Sequence, residues 1–191
     1  MSDSPPYPAV FEGYEQKRAQ LRKFVQRYYV TAFDLQPCKM LDAGCGEGFW
    51  GDLFHHEGFQ VSGFDREAAY IEAGREKYPH LELSVACIED DLPYPEASFP
   101  LIFVRAISHF YAETLDGAEF ALRNVGRYLT EDGLLLVSAY TDGSGQAKRG
   151  SFGDYLLHHH PVKDLTHMVA DAGFEIQHVT RHNGYLGVSA K

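Results

Sequence analysis

"LDAGCGEGFWG", residues 41–51, carries four glycines and two acids and can be read in two frames. From Gly44 it is an acidic G-x-G-x-G loop, whereas from Gly46 it is a literal G-x-G-x-x-G, the pattern of dinucleotide-binding turns. In either frame it leaves a short apolar run, Lys39 to Asp42, and so forms the first strand-to-helix turn. Open α/β sheets anchor their ligands at that turn, beyond the carboxyl ends of the strands. Glycines there let the backbone approach a ligand with no Cβ in the way.

Charge separates the two frames. A pyrophosphate seeks neutral N–H donors at a helix N-terminus, and Asp42 and Glu47 in the same turn repel it, whereas a cation is attracted. Register agrees, because the first glycine of a dinucleotide turn follows its strand closely and Gly46 lies four residues past Asp42. An acid about 20 residues further on, which binds ribose hydroxyls in the dinucleotide class, is supplied by Asp65. Any adenosine-containing ligand offers the same diol, so Asp65 does not discriminate.

The totals narrow the partners. A chain of 191 residues with 45% hydrophobic content suits one domain with a substantial core. A net charge of −10 argues against nucleic acid or an anionic membrane surface, because phosphate contacts need a basic face. Small molecules fit better, bound to a monomer or a homodimer. Cys38, Cys45 and Cys87 form neither a C-x-x-C pair nor an even disulfide set. With no signal peptide and no apolar run of membrane-spanning length, the expected location is cytoplasmic.

Around the loop the chain alternates short apolar runs with amphipathic segments, which predicts a mainly parallel sheet covered by helices. Strands are expected at Lys39 to Asp42, Gln60 to Asp65, Leu81 to Val85, Leu101 to Arg105 and Leu134 to Tyr140. Helices are expected at Phe49 to Glu57, Glu67 to Tyr78 and Thr114 to Tyr128, the last with Leu115, Ala118, Leu122, Val125 and Leu129 on one face. Upstream, a loose arm of a dozen residues precedes one helix from Tyr14 to Ala32, whose stripe is Tyr14, Leu21, Val25, Tyr28 and Ala32. Its basic residues read chiefly as a solvated face, with Lys17 or Arg18 gripping a ligand carboxylate as the alternative. Downstream, a polar linker from Thr141 to Gly153 leads to a helix around Val162, Leu165, Val169 and Ala172. Two strands follow, Phe174 to Thr180 and Tyr185 to Ala190, joined across Asn183-Gly184 as an antiparallel hairpin.

On these residues the chain resembles a class I S-adenosylmethionine-dependent methyltransferase of the compact small-molecule type. "LDAGCGEG" is similar to that family's first motif, hydrophobic-Asp-x-Gly-x-Gly-x-Gly, at every position, and "EDDLPYPEASFPLIFVRAISHF" resembles the segment entering its fourth strand. The likeness runs on through "LTEDGLLLVSAY" to "GYLGVSAK" and covers residues 35–191. It implies a Rossmann-like, doubly wound seven-stranded sheet in one methyltransferase domain, with residues 1–34 as arm and capping helix. The resemblance implies S-adenosyl-L-methionine as methyl donor, with Asp42 near its ammonium, Gly44 to Gly46 along its length and Asp65 on both ribose hydroxyls. The implied donor set is Asp42, Ala43, Gly44, Cys45, Gly46, Asp65, Arg66, Ile88, Glu89 and Arg105. Two positions depart from the family pattern. The Asp that accepts from the adenine amine falls on Cys87 or Ile88, leaving Glu89 or Asp90 to take its place, and Pro100 stands where Ser-Phe-Asp has its acid.

Methyl transfer from a sulfonium is an in-line displacement that positioning and water exclusion can drive, so a general base is optional. If the acceptor is a hydroxyl, the expected nucleophile, His109 in "RAISHF" is the candidate catalytic residue; the plain alternative is a histidine packed at a strand end. "LLHHHP", residues 156–161, invites a metal, but adjacent imidazoles rarely converge on one tetrahedral ion and no second ligand cluster supports them. The triplet reads as a loop, lining the acceptor pocket or solvated. Tyr7, Phe11, Tyr14, Phe110, Tyr111, Tyr140 and Tyr155 are candidate pocket aromatics. Two rival functions remain, an S-adenosylmethionine-binding accessory protein without activity and an NAD-dependent oxidoreductase using the Gly46 frame.

Overall fold

The computed structural model describes residues 7–141, 148–152, 155–182 and 185–191. Five strands, β1 (Lys39–Ala43), β2 (Gln60–Asp65), β3 (Glu82–Val85), β4 (Phe99–Arg105) and β5 (Leu129–Tyr140), pair in parallel. The chain order of the main sheet is β3-β2-β1-β4-β5-β9-β8, where β8 is Ile176–His182 and β9 is Tyr185–Ala190. Strand β9 runs antiparallel to both β5 and β8, so it alone opposes the other six. This is the Rossmann-like seven-stranded sheet with a C-terminal antiparallel pair. The Asn183-Gly184 turn lies outside the described residues. The order reverses between β1 and β4, and the glycine loop leaves β1 at that switch point, where the diverging crossovers leave a crevice.

Strand periodicity divides the core between the two faces of the sheet. Leu41, Ala43, Ile102, Val104, Leu135 and Val137 pack against α5 (Asp116–Gly126) and α6 (Val162–Asp171). Met40, Leu101, Phe103 and Leu136 face the other way, onto α3 (Phe49–His55), α4 (Ala68–Lys77) and the N-terminal helices. Asp42 shares the second face, by the same alternation. Pro100, the exposed second residue of β4, coincides with a register shift between Phe99 and Leu101, since proline cannot donate to the ladder. Among the described residues no helix is long and apolar enough to cross a membrane.

Three segments differ from expectation. Strand β5 begins at Leu129, five residues earlier than expected, so Leu129 lies in the sheet and not on the face of α5, which ends at Gly126. The N-terminal helix is divided into α1 (Tyr7–Gln16), α2 (Arg18–Val25) and a π-helical turn (Gln26–Thr31), and helical structure begins within the stretch expected to be a loose arm. Val25 is buried as the stripe predicts, but within the wider π turn that follows it Tyr29 is buried and Tyr28 is not. The Tyr29 hydroxyl meets Ser138 Oγ on β5 at 2.7 Å inside the core, fastening this segment to the sheet. The polar linker, in turn, contains half of a two-stranded hairpin, β6 (Lys148–Phe152) with β7 (Tyr155–His159), which takes in His158 and His159 of the histidine triplet. Polar, glycine-bearing sequence hid it, because a hairpin resting on a neighbouring element needs little apolar alternation of its own.

Candidate active site

The loop after β1 turns through three left-handed glycines, Gly44 (φ 75°), Gly46 (φ 57°) and Gly48 (φ 86°). Its amides are directed inward. The N–H groups of Gly44 and Cys45 donate to the Phe64 carbonyl, each at 2.9 Å, and that of Gly46 donates to Asp65 Oδ2 at 2.9 Å. Asp42 accepts the N–H of Gly51 in the first turn of α3. The protein's own carboxylate therefore occupies the place where a dinucleotide turn would receive a phosphate. Gly51 is a packing glycine within α3: a Cβ there would come 3.0 Å from Val61 Cγ1 and 3.3 Å from Asp42 Oδ2. At Gly44 a Cβ would lie 2.7 Å from Ile107 Cγ2, a contact imposed by the left-handed turn at Ala106 (φ 50°) just past β4.

Asp42 is 2% exposed, and its Oδ2 has no hydrogen-bond partner. Burial raises its pKa to about 7, against the opposing pull of Arg105 and the Gly51 amide. A buried carboxyl with one unsatisfied oxygen beside a glycine loop suits a cationic group. At the end of β2, Asp65 accepts from Gly46 N–H through Oδ2 and from Glu67 N–H through Oδ1, at 2.9 and 3.0 Å. Each oxygen keeps a second lone pair for a diol. Ala43 and Cys45 are buried, and burial lifts the Cys45 thiol well above its ordinary range. Arg66 is exposed beside Glu67. Arg105, at the end of β4, stacks over the Trp50 indole with 3.8 Å to the ring centroid, and its Nη1 donates to the Tyr14 hydroxyl at 3.5 Å. Side chains from α1, β1, β2, α3 and β4 thus come together around the glycine loop.

The residues expected near the adenine follow β3. Ile88 is buried in the core, and its carbonyl and that of Asp90 accept from Asn124 Nδ2 of α5 at 2.7 and 2.8 Å. Glu89 joins two neighbours: Oε2 accepts from the Cys87 thiol at 2.7 Å, and Oε1 lies 2.7 Å from His109 Nε2. Burial raises the Glu89 pKa, but the bonds from Cys87 and His109 outweigh it and hold the carboxyl below its ordinary value. His109 sits in the 3-10 turn Ser108–Tyr111 after β4; its Nδ1 is buried with no hydrogen-bond partner. Since an ionised carboxylate only accepts, the resting pair places the proton on Nε2.

The same 3-10 turn carries Tyr111, whose hydroxyl accepts the backbone N–H of Tyr140 at 3.0 Å. His159 of β7 stands edge-on to Tyr140 and Tyr111, at 5.1 and 5.9 Å between ring centroids. His160 Nε2 lies 2.7 Å from the Ala112 carbonyl. Phe110 is core, and the side chains of Tyr7, Phe11 and Tyr155 lie outside those described. Among the described residues no group of His, Cys, Asp and Glu is arranged to hold a metal.

Residue-level reading of the sequence missed the polar clasp behind the site. Arg18 holds Glu15 through two bonds of 2.7 and 2.8 Å, pairs with buried Asp52 of α3 and donates to the Tyr78 hydroxyl at 2.9 Å. The Arg18 bonds lead the effects that bring Glu15 down to about 2. His80 Nε2 completes the surround of Asp52 at 2.9 Å. Arg18 is therefore a tie between elements, not a loose basic face. Trp50 and Asn124 were missed as well; the one signal for Asn124 was a poor helix former amid an apolar stripe.

Comparison with known proteins agrees with this geometry. A methyltransferase-domain family profile matches residues 40–133. A curated relative from Mycobacterium tuberculosis, "Probable S-adenosylmethionine-dependent methyltransferase", is 31% identical over 137 residues, which are 71% of this chain and 48% of the relative. The chain thus spans about half the length of the curated relatives it matches. A TehB-like S-adenosylmethionine-dependent methyltransferase from Corynebacterium glutamicum is similar in structure with a TM-score of 0.63 and 25% identity, over 96% of this chain and 98% of that one. The 1,6-didemethyltoxoflavin-N1-methyltransferase of Burkholderia thailandensis shares the fold with a TM-score of 0.70 and 17% identity, over 96% and 85%. With the motif loop, the strand order and the matched profile in agreement, the chain is similar to S-adenosylmethionine-dependent methyltransferases in sequence over residues 40–133 and in fold over nearly its whole length.

Proposed function

We propose that this chain transfers a methyl group from S-adenosylmethionine to a small-molecule acceptor, with an oxygen nucleophile favoured. The observation that carries the donor's identity is the Asp42 carboxyl beneath α3, buried, with Oδ2 unsatisfied, in a loop whose amides already have protein acceptors. That arrangement repels a pyrophosphate and suits a cationic amino-acid nucleoside. Asp42 would receive the ammonium, Ala43, Gly44, Cys45 and Gly46 would follow the donor's length, and Asp65 would take the ribose diol. Arg105 and Arg66 offer positive charge for the carboxylate, while Ile88 and Glu89 border the adenine. When bound, the donor supplies a methyl carbon made electrophilic by its sulfonium.

The chain's own work is to hold the acceptor oxygen in line and keep water out. His109 is the side chain we assign to the acceptor. In the resting pair its Nε2 proton is held by Glu89, so it serves as a base only after Glu89 gives way or the acceptor reaches Nδ1.

Titration calorimetry with S-adenosylhomocysteine and with NAD tests the donor reading. Binding of the first without the second is expected, and the reverse would overturn it. Once an acceptor is in hand, His109→Ala should lower kcat by about 100-fold. Unchanged turnover would remove His109 from the chemistry.

A further inference from the structure

The acceptor side of the cleft has a chemical character of its own. Tyr140 is the last residue of β5 and is 38% exposed, although its neighbours Ala139 and Thr141 are buried at 1% and 4%. Ser138 is the register partner of Arg105, so Tyr140 stands on the same face as Arg105, one strand over and about 7 Å further toward the carboxyl edge. The Tyr111 ring is held beside it by the Tyr140 N–H, and His159 closes the group from the β6–β7 hairpin, edge-on to both rings at 77° and 63°. His160, bonded to the Ala112 carbonyl, ties that hairpin to the 3-10 turn that carries His109. Three aromatic rings from three elements are thus assembled at the rim where a methyl acceptor would enter, and one of them is exposed.

An isolated exposed aromatic needs no explanation, but here the Tyr111 ring is anchored through its hydroxyl and His159 packs edge-on against both tyrosines, which makes the group a stacking platform. Flat rings settle on such surfaces by offset or edge-to-face contact, which a saturated ring of equal size does not match. We propose that Tyr140, Tyr111 and His159 form a specificity site for a flat aromatic or heteroaromatic acceptor, with Tyr140 the stacking face. This deepens the methyltransferase reading and rests on it.

The test is a binding measurement. 2-Naphthol and its saturated counterpart, decahydro-2-naphthol, are titrated against the full chain alone and with S-adenosylhomocysteine, by saturation-transfer NMR. 2-Naphthol should bind about ten-fold more tightly than the saturated alcohol, Tyr140→Ala should abolish that preference, and Tyr140→Phe should retain it. Calorimetric affinity for S-adenosylhomocysteine should be the same in both variants and the parent. Equal binding of the two alcohols, no binding of 2-naphthol, or an unaltered preference in Tyr140→Ala would each overturn the proposal. Failure of S-adenosylhomocysteine to bind would instead overturn the methyl-donor reading, leaving the ring preference to be judged on the chain alone.

Discussion

Asp42 is a carboxyl buried beside the glycine loop with one oxygen unpaired. Its pKa is raised from 3.8 to about 7, chiefly by burial, so the folded chain holds this proton more tightly than the unfolded chain. The stability gained from that proton is complete below pH 3.8 and is lost as pH rises through about 7. Asp42→Asn should remove this slope, gaining on the parent in urea denaturation as pH increases across that window. Donor binding should respond in the opposite sense, because an ammonium favours the ionised carboxylate. The parent's affinity for S-adenosylhomocysteine should rise through pH ~7, while Asp42→Asn binds weakly with a flat profile. A flat profile in the parent would contradict a role for Asp42 as the cation's partner.

Among the elements, the segment after β3 depends on a helix it does not adjoin in sequence. Asn124 of α5 fixes the carbonyls of Ile88 and Asp90, 36 and 34 residues away. Asn124→Ala leaves both buried or half-buried acceptors without that donor and should cost about 2 kcal/mol in chemical denaturation. Hydrogen exchange should speed up selectively over residues 86–92, and affinity for S-adenosylhomocysteine should fall with it if that segment borders the adenine as proposed. Uniform exchange across the sheet would show that Asn124 supports the fold at large instead. The antiparallel C-terminal strands and the stripes of α5 and α6 were legible because each is a local pattern of a few residues. The Asn124 bonds, the Arg18–Asp52 pair 34 residues apart and the Arg105–Trp50 stack were not, since no local spacing relates their partners.

For the molecule as a whole, the N-terminal segment is part of the core. Val25 and Tyr29 are 0% and 2% exposed, and Tyr29 packs on Phe54 and Phe103 at 6.0 and 5.2 Å between ring centroids. A chain beginning at residue 35 would uncover those aromatics and lose about 2–3 kcal/mol of apolar burial for each large side chain removed. It should emerge from size exclusion as aggregate and show no cooperative thermal transition. A monomeric, cooperatively unfolding product would mean that residues 35–191 carry a sufficient core alone.

Local chemistry was readable from the order of residues. Strand alternation divided the core between two faces, and glycines marked the left-handed turn that leaves β1; each needs only neighbours in sequence. Tertiary structure alone decided that the loop's amides turn inward, that Glu89 and His109 meet, that Arg18 clasps α3, and that a hairpin brings His159 to Tyr140 and Tyr111. Those contacts join segments brought together by the sheet order. Their energies depend on burial and direction, which a linear pattern does not contain.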